Sequence, residues 1–91
     1  MKYLSFILVI LVGCSSSLPD ESIPLADHLK IGMDLLDQEK FVKAQDEFKF
    51  ILSRGTGTDY GDDAQFFLAE SYFLNQEYML SIQEYENLTR K

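Results

Sequence analysis

Cys14 is the only cysteine in this chain of 91 residues, and it stands where an apolar run stops. Tyr3 to Val12 are apolar except for Ser5; Gly13 and Cys14 follow, and then Ser15, Ser16 and Ser17. A thiolate is the side chain most readily alkylated under mild conditions, so the position invites covalent modification. Other residues offer less chemistry. His28 is the only histidine and has only Asp27 beside it, which predicts a partly exposed side chain and no metal site. The segment "GTGTDYG" (55–61) places Tyr60 where a dinucleotide loop needs its third glycine, and neither a preceding strand nor a following Lys-Ser or Lys-Thr supports a phosphate loop. "DYGDD" (59–63) lacks the spacing of a calcium loop and reads as a solvated helix start. Glu84 and Glu86 fall on different helix faces and read as solvated surface. No Ser or Cys has a base at usable spacing. The expectation is a non-enzymatic chain with no catalytic residues, no metal site and no cofactor.

Size and charge narrow the class. The chain is one domain at most. Eight basic and fifteen acidic residues give a formal charge of −7, which argues against nucleic acid, whose binding needs a basic face to displace counterions. All the Phe and Tyr except Tyr3 and Phe6 lie after the apolar run, so the remainder is no disordered acidic tail. A lone cysteine excludes an internal disulfide framework and a multi-cysteine zinc site.

The first thirteen residues have the order of a secretory leader: Met1 and Lys2 as a short positive start, then the apolar run. Ten such residues span about 15 Å as a helix, half of a hydrocarbon core of ~30 Å. The run ends in Leu11-Val12-Gly13-Cys14, which resembles the bacterial lipobox. The resemblance implies diacylglycerol on the Cys14 sulfur, cleavage before Cys14, and acylation of the new amino group. Two or three acyl chains anchor stably where one is marginal. Loss of Lys2 with the leader takes the formal charge from −7 to −8. Ser15, in place of an aspartate, points to the outer membrane. Residues 14–22, with Pro19, read as a lipidated tether that lifts the domain off the lipid surface.

Positioning elements come from an internal repeat. "IGMDLLDQEKFVKAQDEF" (31–48) aligns with "LAESYFLNQEYMLSIQEY" (68–85) at an offset of 37. Gly32 falls on Ala69, Phe41 on Tyr78, Ala44 on Ser81 and Phe48 on Tyr85, small on small and aromatic on aromatic. Each unit reads as two helices. The first carries Leu25, Leu29, Gly32, Leu35 and Leu36, turns at "DQEK", and continues through Phe41, Ala44, Phe48, Ile51 and Leu52. The second runs from Ala64 to Leu74, turns at "NQE", and continues through Tyr78, Ile82, Tyr85 and Leu88. Pro24 is expected in the first turn of the first helix, and Asp62 with Gln65 as a capping box opening the third. Gly32 should face Ala44, and Ala69 should face Ser81, where the hairpin helices cross. "RGTGTDYGDD" (54–63) is expected to be a loop, broken by Gly55, Gly57 and Gly61.

These positions resemble the tetratricopeptide repeat: His28, Ile31, Gly32, Leu35, Ala44 and Phe48 in one unit, and Gln65, Leu68, Ala69, Tyr72, Ser81 and Tyr85 in the other. The usual unit is about 34 residues. The leading Trp is absent from both units, and no Pro closes the first. The expected fold is all-α, a tetratricopeptide-repeat α-solenoid of two helical hairpins with repeats over 23–55 and 61–91. Solenoids need about three repeats for independent stability, so the chain reads as the N-terminal part of a longer array or as a short paralogue needing a partner.

"GDDAQFFLAESYFLNQEYMLSIQEYENLTRK" (61–91) is also similar to the second repeat of the BamD (ComL/YfiO) family, lipoproteins of the β-barrel assembly machinery. That resemblance implies a lipid-anchored protein on the periplasmic face of the outer membrane. Its partners would be the barrel-assembly subunits and unfolded outer-membrane protein clients. In such a superhelix the first helix of each unit lines the groove, which would place Leu29, Met33, Leu36, Phe66, Glu70 and Phe73 there. Phe66 and Phe67 are adjacent and cannot both face one way. The alternatives are another envelope repeat lipoprotein, serving peptidoglycan synthesis or a secretion channel, or a lipoprotein enzyme separated from its catalytic region.

Overall fold

The computed structural model describes residues 19–90. The leader (1–13) and Cys14, with most of the tether, lie outside the described residues. Four helices account for nearly all the rest: α1 (Leu25–Asp37), α2 (Phe41–Gly55), α3 (Asp59–Leu74) and α4 (Tyr78–Thr89). The described residues hold no strand, so the all-α class and the four helices are as expected. No helix among them is long and apolar enough to cross a membrane.

Helix boundaries follow from local chemistry. Pro24 is extended (φ −63°, ψ 154°) and stands just before α1 rather than in its first turn. Its carbonyl accepts from the backbone N–H of Asp27 and of His28, so it serves the helix through its one remaining backbone group. The turns after α1 and α3 are copies of each other. Lys40 N donates to Leu35 O and Glu39 N to Leu36 O; Glu77 N donates to Tyr72 O and Gln76 N to Phe73 O. This is the paired bond pattern that closes a helix through one left-handed residue. That residue is Glu39 (φ 59°) in the first turn and Gln76 (φ 64°) in the second, again separated by 37. Neither is glycine, so each turn carries a local conformational cost of about 1–2 kcal/mol.

The expected loop over 54–63 is largely helical. Only Thr56, Gly57 and Thr58 separate α2 from α3, and α3 opens at Asp59, before the expected Asp62–Gln65 box. The Thr58 hydroxyl accepts from Gly61 N at 3.2 Å and caps the helix instead. Of the three glycines, only Gly57 has a positive φ (86°). Gly61 is buried inside α3, and a Cβ there would collide with the carbonyl oxygen of Gly55, the last residue of α2. The glycine permits the two backbones to approach, and does not break the helix.

Each helix packs on the next, and α1 also touches α3; α4 packs on α3 alone among the described helices. The core lies between α2 and α3, where Ala44, Phe48, Ile51, Ala64, Leu68 and Tyr72 are buried. Leu25, Leu29, Leu35, Leu36, Leu52 and Phe67 flank them. Burial of a side chain such as Phe48 or Ile51 contributes roughly 1.5–3 kcal/mol. Phe48 stacks on Phe67 with ring centroids 5.9 Å apart, which assigns Phe67 to the core side of its pair. The gap over Gly32 is filled by the Phe48 ring and not chiefly by Ala44: a Cβ on Gly32 would lie 2.5 Å from Phe48 Cε1.

Because Phe48 is fully buried, its ring has nowhere to retreat. Gly32→Ala should therefore lower stability by about 1–3 kcal/mol despite its small size. A urea midpoint equal to that of the parent would show that the ring is free to move.

Candidate binding surface

Buried polar groups set the geometry of both hairpins. His28 is fully buried, not half-exposed as its sequence neighbourhood predicts. Its Nδ1 lies 2.6 Å from Glu47 Oε2 on α2, and its Nε2 lies 2.7 Å from the carbonyl oxygen of Asp20. A carbonyl only accepts, so Nε2 donates to Asp20 O and leaves Nδ1 to face the Glu47 carboxylate. The Phe50 ring covers the imidazole at 4.5 Å. The other hairpin repeats the device at an offset of 37. Gln65 on α3, also buried, donates through Nε2 to Glu84 Oε2 on α4 at 2.9 Å. Glu84 is thus a helix-to-helix ligand and not a solvated surface charge. Ser81 Oγ donates to Ala69 O at 2.9 Å, which places Ala69 and Ser81 against each other as their small sizes predict. Gln45, buried on α2, donates to Glu77 Oε2 at 3.1 Å, and Asn75 donates to the same oxygen at 2.8 Å. That cluster joins the first hairpin to the turn of the second. Among the described residues no buried side-chain nitrogen or oxygen lacks a partner.

The C-terminal end of the tether is docked on this frame. Asp20 reaches His28 through its backbone, and Glu21 pairs with Arg54 near the end of α2. The Asp20 carboxylate accepts from the hydroxyl and the backbone N–H of Ser22, which holds its pKa below the ordinary value.

The six expected groove residues divide. Leu29 and Leu36 pack against the core from α1, whereas Met33 is exposed. On α3, Phe66 and Phe73 are exposed and Glu70 is half-buried. Those three lie beside α4. Phe66 meets Tyr85 edge-on at 6.2 Å, Phe73 meets Tyr78 edge-on at 5.4 Å, and Glu70 accepts a hydrogen bond from Tyr85. Burial first, and then the Glu70 charge and that bond, push the Tyr85 hydroxyl above its ordinary pKa. The outcome is a strip of four aromatic rings along α3 and α4 around one carboxylate, still open to solvent. It is a surface for apolar and aromatic groups. Among the described residues no three His, Cys, Asp or Glu side chains gather into a set that could hold a metal ion.

The buried polar pairs were partly visible beforehand. The repeat alignment sets His28 over Gln65, and the same offset sets Glu47 over Glu84. Two polar positions on the first helices, each matched by a glutamate nineteen residues later, were the available signal. No family model, curated protein or solved structure matches the chain.

Glu47→Ala leaves a buried imidazole nitrogen unsatisfied and should cost about 1–3 kcal/mol. His28→Gln copies the Gln65–Glu84 pair and should lose less than half as much stability as His28→Ala in urea denaturation. Equal losses for the two His28 variants would deny the equivalence of the pairs.

Proposed function

We propose that this protein is a lipid-anchored scaffold of the bacterial envelope, a tetratricopeptide-type stack acting in outer-membrane β-barrel assembly. In this reading Cys14 carries the acyl chains, residues 14–22 form the tether, and the helical hairpins receive unfolded outer-membrane proteins and partner subunits. The observation that carries the reading is the depth of the repeat. The offset of 37 holds for the left-handed turn residues (Glu39, Gln76), for the small crossing residues and for the buried polar pairs. Two hairpins of one design, packed through α2 and α3, support a solenoid reading. The aromatic strip supports the client preference. An extended segment ending in an aromatic residue would set its ring among Phe66, Phe73 and Tyr78, with backbone N–H groups available to Glu70.

Two measurements test this. A synthetic peptide with the aromatic-ended C-terminal segment of a barrel protein should bind the full chain in detergent. Phe73→Ala should weaken that binding at least tenfold, about 1.4 kcal/mol, with the helical circular dichroism unchanged. Retention of full affinity by the variant, or no binding by the parent, points to a different envelope partner. Separately, Cys14→Ala should move the protein from the membrane fraction to the soluble fraction or leave it with an uncleaved leader. Unchanged fractionation and gel mobility would refute the anchor.

A further inference from the structure

Residues 19–24 lie against the first hairpin without helix or strand of their own, and one buried side chain decides how they are held. His28 on α1 is fully buried between partners from two different parts of the chain. Its Nε2 meets the Asp20 carbonyl oxygen at 2.7 Å, and its Nδ1 meets Glu47 Oε2 on α2 at 2.6 Å. A carbonyl only accepts, and so does an ionised carboxylate. An imidazole satisfies two acceptors only with a hydrogen on each nitrogen; a ring with one hydrogen turns a lone pair toward one of the two oxygens.

The two sides are not equal. A bond from Nδ1 to a carboxylate is charge-assisted and about twice as strong as one to a neutral carbonyl. A ring left with one hydrogen therefore keeps it on Nδ1, and the contact that fails is the one to Asp20. Glu47 is fixed on α2, whereas Asp20 belongs to a segment outside the helices. Once that segment has left, water donates to Nε2, which a carbonyl cannot do. The docked segment thus needs a proton that the undocked one does not.

The charges around the ring favour that proton. The Asp20 carboxylate, held by Ser22, interacts with the charge of His28, so two carboxylates attend the ring. Arg54 on α2 opposes them, 4.9 Å from the centre of the Phe50 ring that covers the imidazole, but it is paired with Glu21. On α1 the charged neighbours in sequence are Asp27 and Lys30, and α3, which also touches α1, turns Ala64, Leu68 and Tyr72 inward.

We infer that His28 and Glu47 form a proton-controlled latch: the ring with both hydrogens fastens residues 20–22 to the first hairpin, and loss of one proton releases them. Docking takes up a proton, so it is favoured at lower pH and weakens as the pH rises. At one proton per docking event the docking constant falls about tenfold per pH unit. The latch goes beyond the scaffold reading and works whether or not Cys14 carries a lipid.

The test is NMR of the full chain in detergent from about pH 5 to about pH 9, which spans the range where a histidine changes charge. His28 is the only histidine, so its ring-nitrogen signals are unambiguous. At the acid end both ring nitrogens should carry hydrogen, and carbon relaxation should show Glu21 and Ser22 as ordered as α1. At the alkaline end the remaining hydrogen should sit on Nδ1, and Glu21 and Ser22 should lose their order while α1 and α2 keep theirs. Glu47→Gln offers an amide N–H to Nδ1, so a neutral ring keeps its hydrogen on Nε2 for Asp20 and the segment should stay ordered throughout. His28→Gln has nothing to titrate at this position and should show the same segment order at both ends. Segment order that is independent of pH in the parent overturns the inference. So does a hydrogen that remains on Nε2 in the parent at the alkaline end, or alkaline release of the segment in Glu47→Gln.

Discussion

A polar side chain on the inner face of the first helix must find its partner on the second, and the rest of the fold is arranged around that requirement. His28 and Gln65 hold equivalent places, and each is met by a glutamate from the following helix, Glu47 or Glu84. An unpartnered group of this kind, buried, costs more than its hydrogen bond gains, so the pair acts mainly by excluding other registers. A one-residue slip of α2 along α1 would turn Glu47 away from His28 and leave the imidazole Nδ1 without its partner. The apolar contacts could tolerate such a slip better, because leucines and phenylalanines repack.

Small residues and turns then act in the same register. Gly32 admits the Phe48 ring, Ala69 admits the Ser81 hydroxyl, and Gly61 admits the end of α2. Each concerns a close approach that a larger side chain would forbid. The two three-residue turns close at matching dihedrals, with Lys40 at φ −94°, ψ 70° and Glu77 at φ −94°, ψ 66°. Turn, crossing and polar pair therefore specify one hairpin geometry twice, and consistency of that kind favours a single native arrangement.

Much of this was legible in the sequence because it is periodic. Helical spacing of Leu25, Leu29, Leu35 and Leu36, and the alignment of Phe41 with Tyr78, were enough to place four helices and both short turns. The errors came where one residue type supports two roles. Glycine marks loops, but Gly55 and Gly61 serve a close helix approach, so the expected loop over 54–63 became helix. An isolated histidine usually sits at the surface, but His28 is buried because Glu47, nineteen residues away, and a backbone carbonyl meet its two nitrogens. Sequence neighbours do not reveal a ligand from another helix. The aromatic strip was half visible: the groove position implied by the repeat resemblance picked out Phe66, Glu70 and Phe73, whereas Tyr78 and Tyr85 read only as the aromatic counterparts of Phe41 and Phe48 in the repeat alignment.

The docked tether has a mechanical consequence. Asp20 and Glu21 are fastened to His28 and to Arg54, which belong to different helices. Tension arriving from upstream of Pro19 is therefore divided between α1 and α2 before it reaches Leu25. The two contacts hold the start of the segment to both helices of the first hairpin, so a pull on Pro19 meets them before it reaches the first turn of α1.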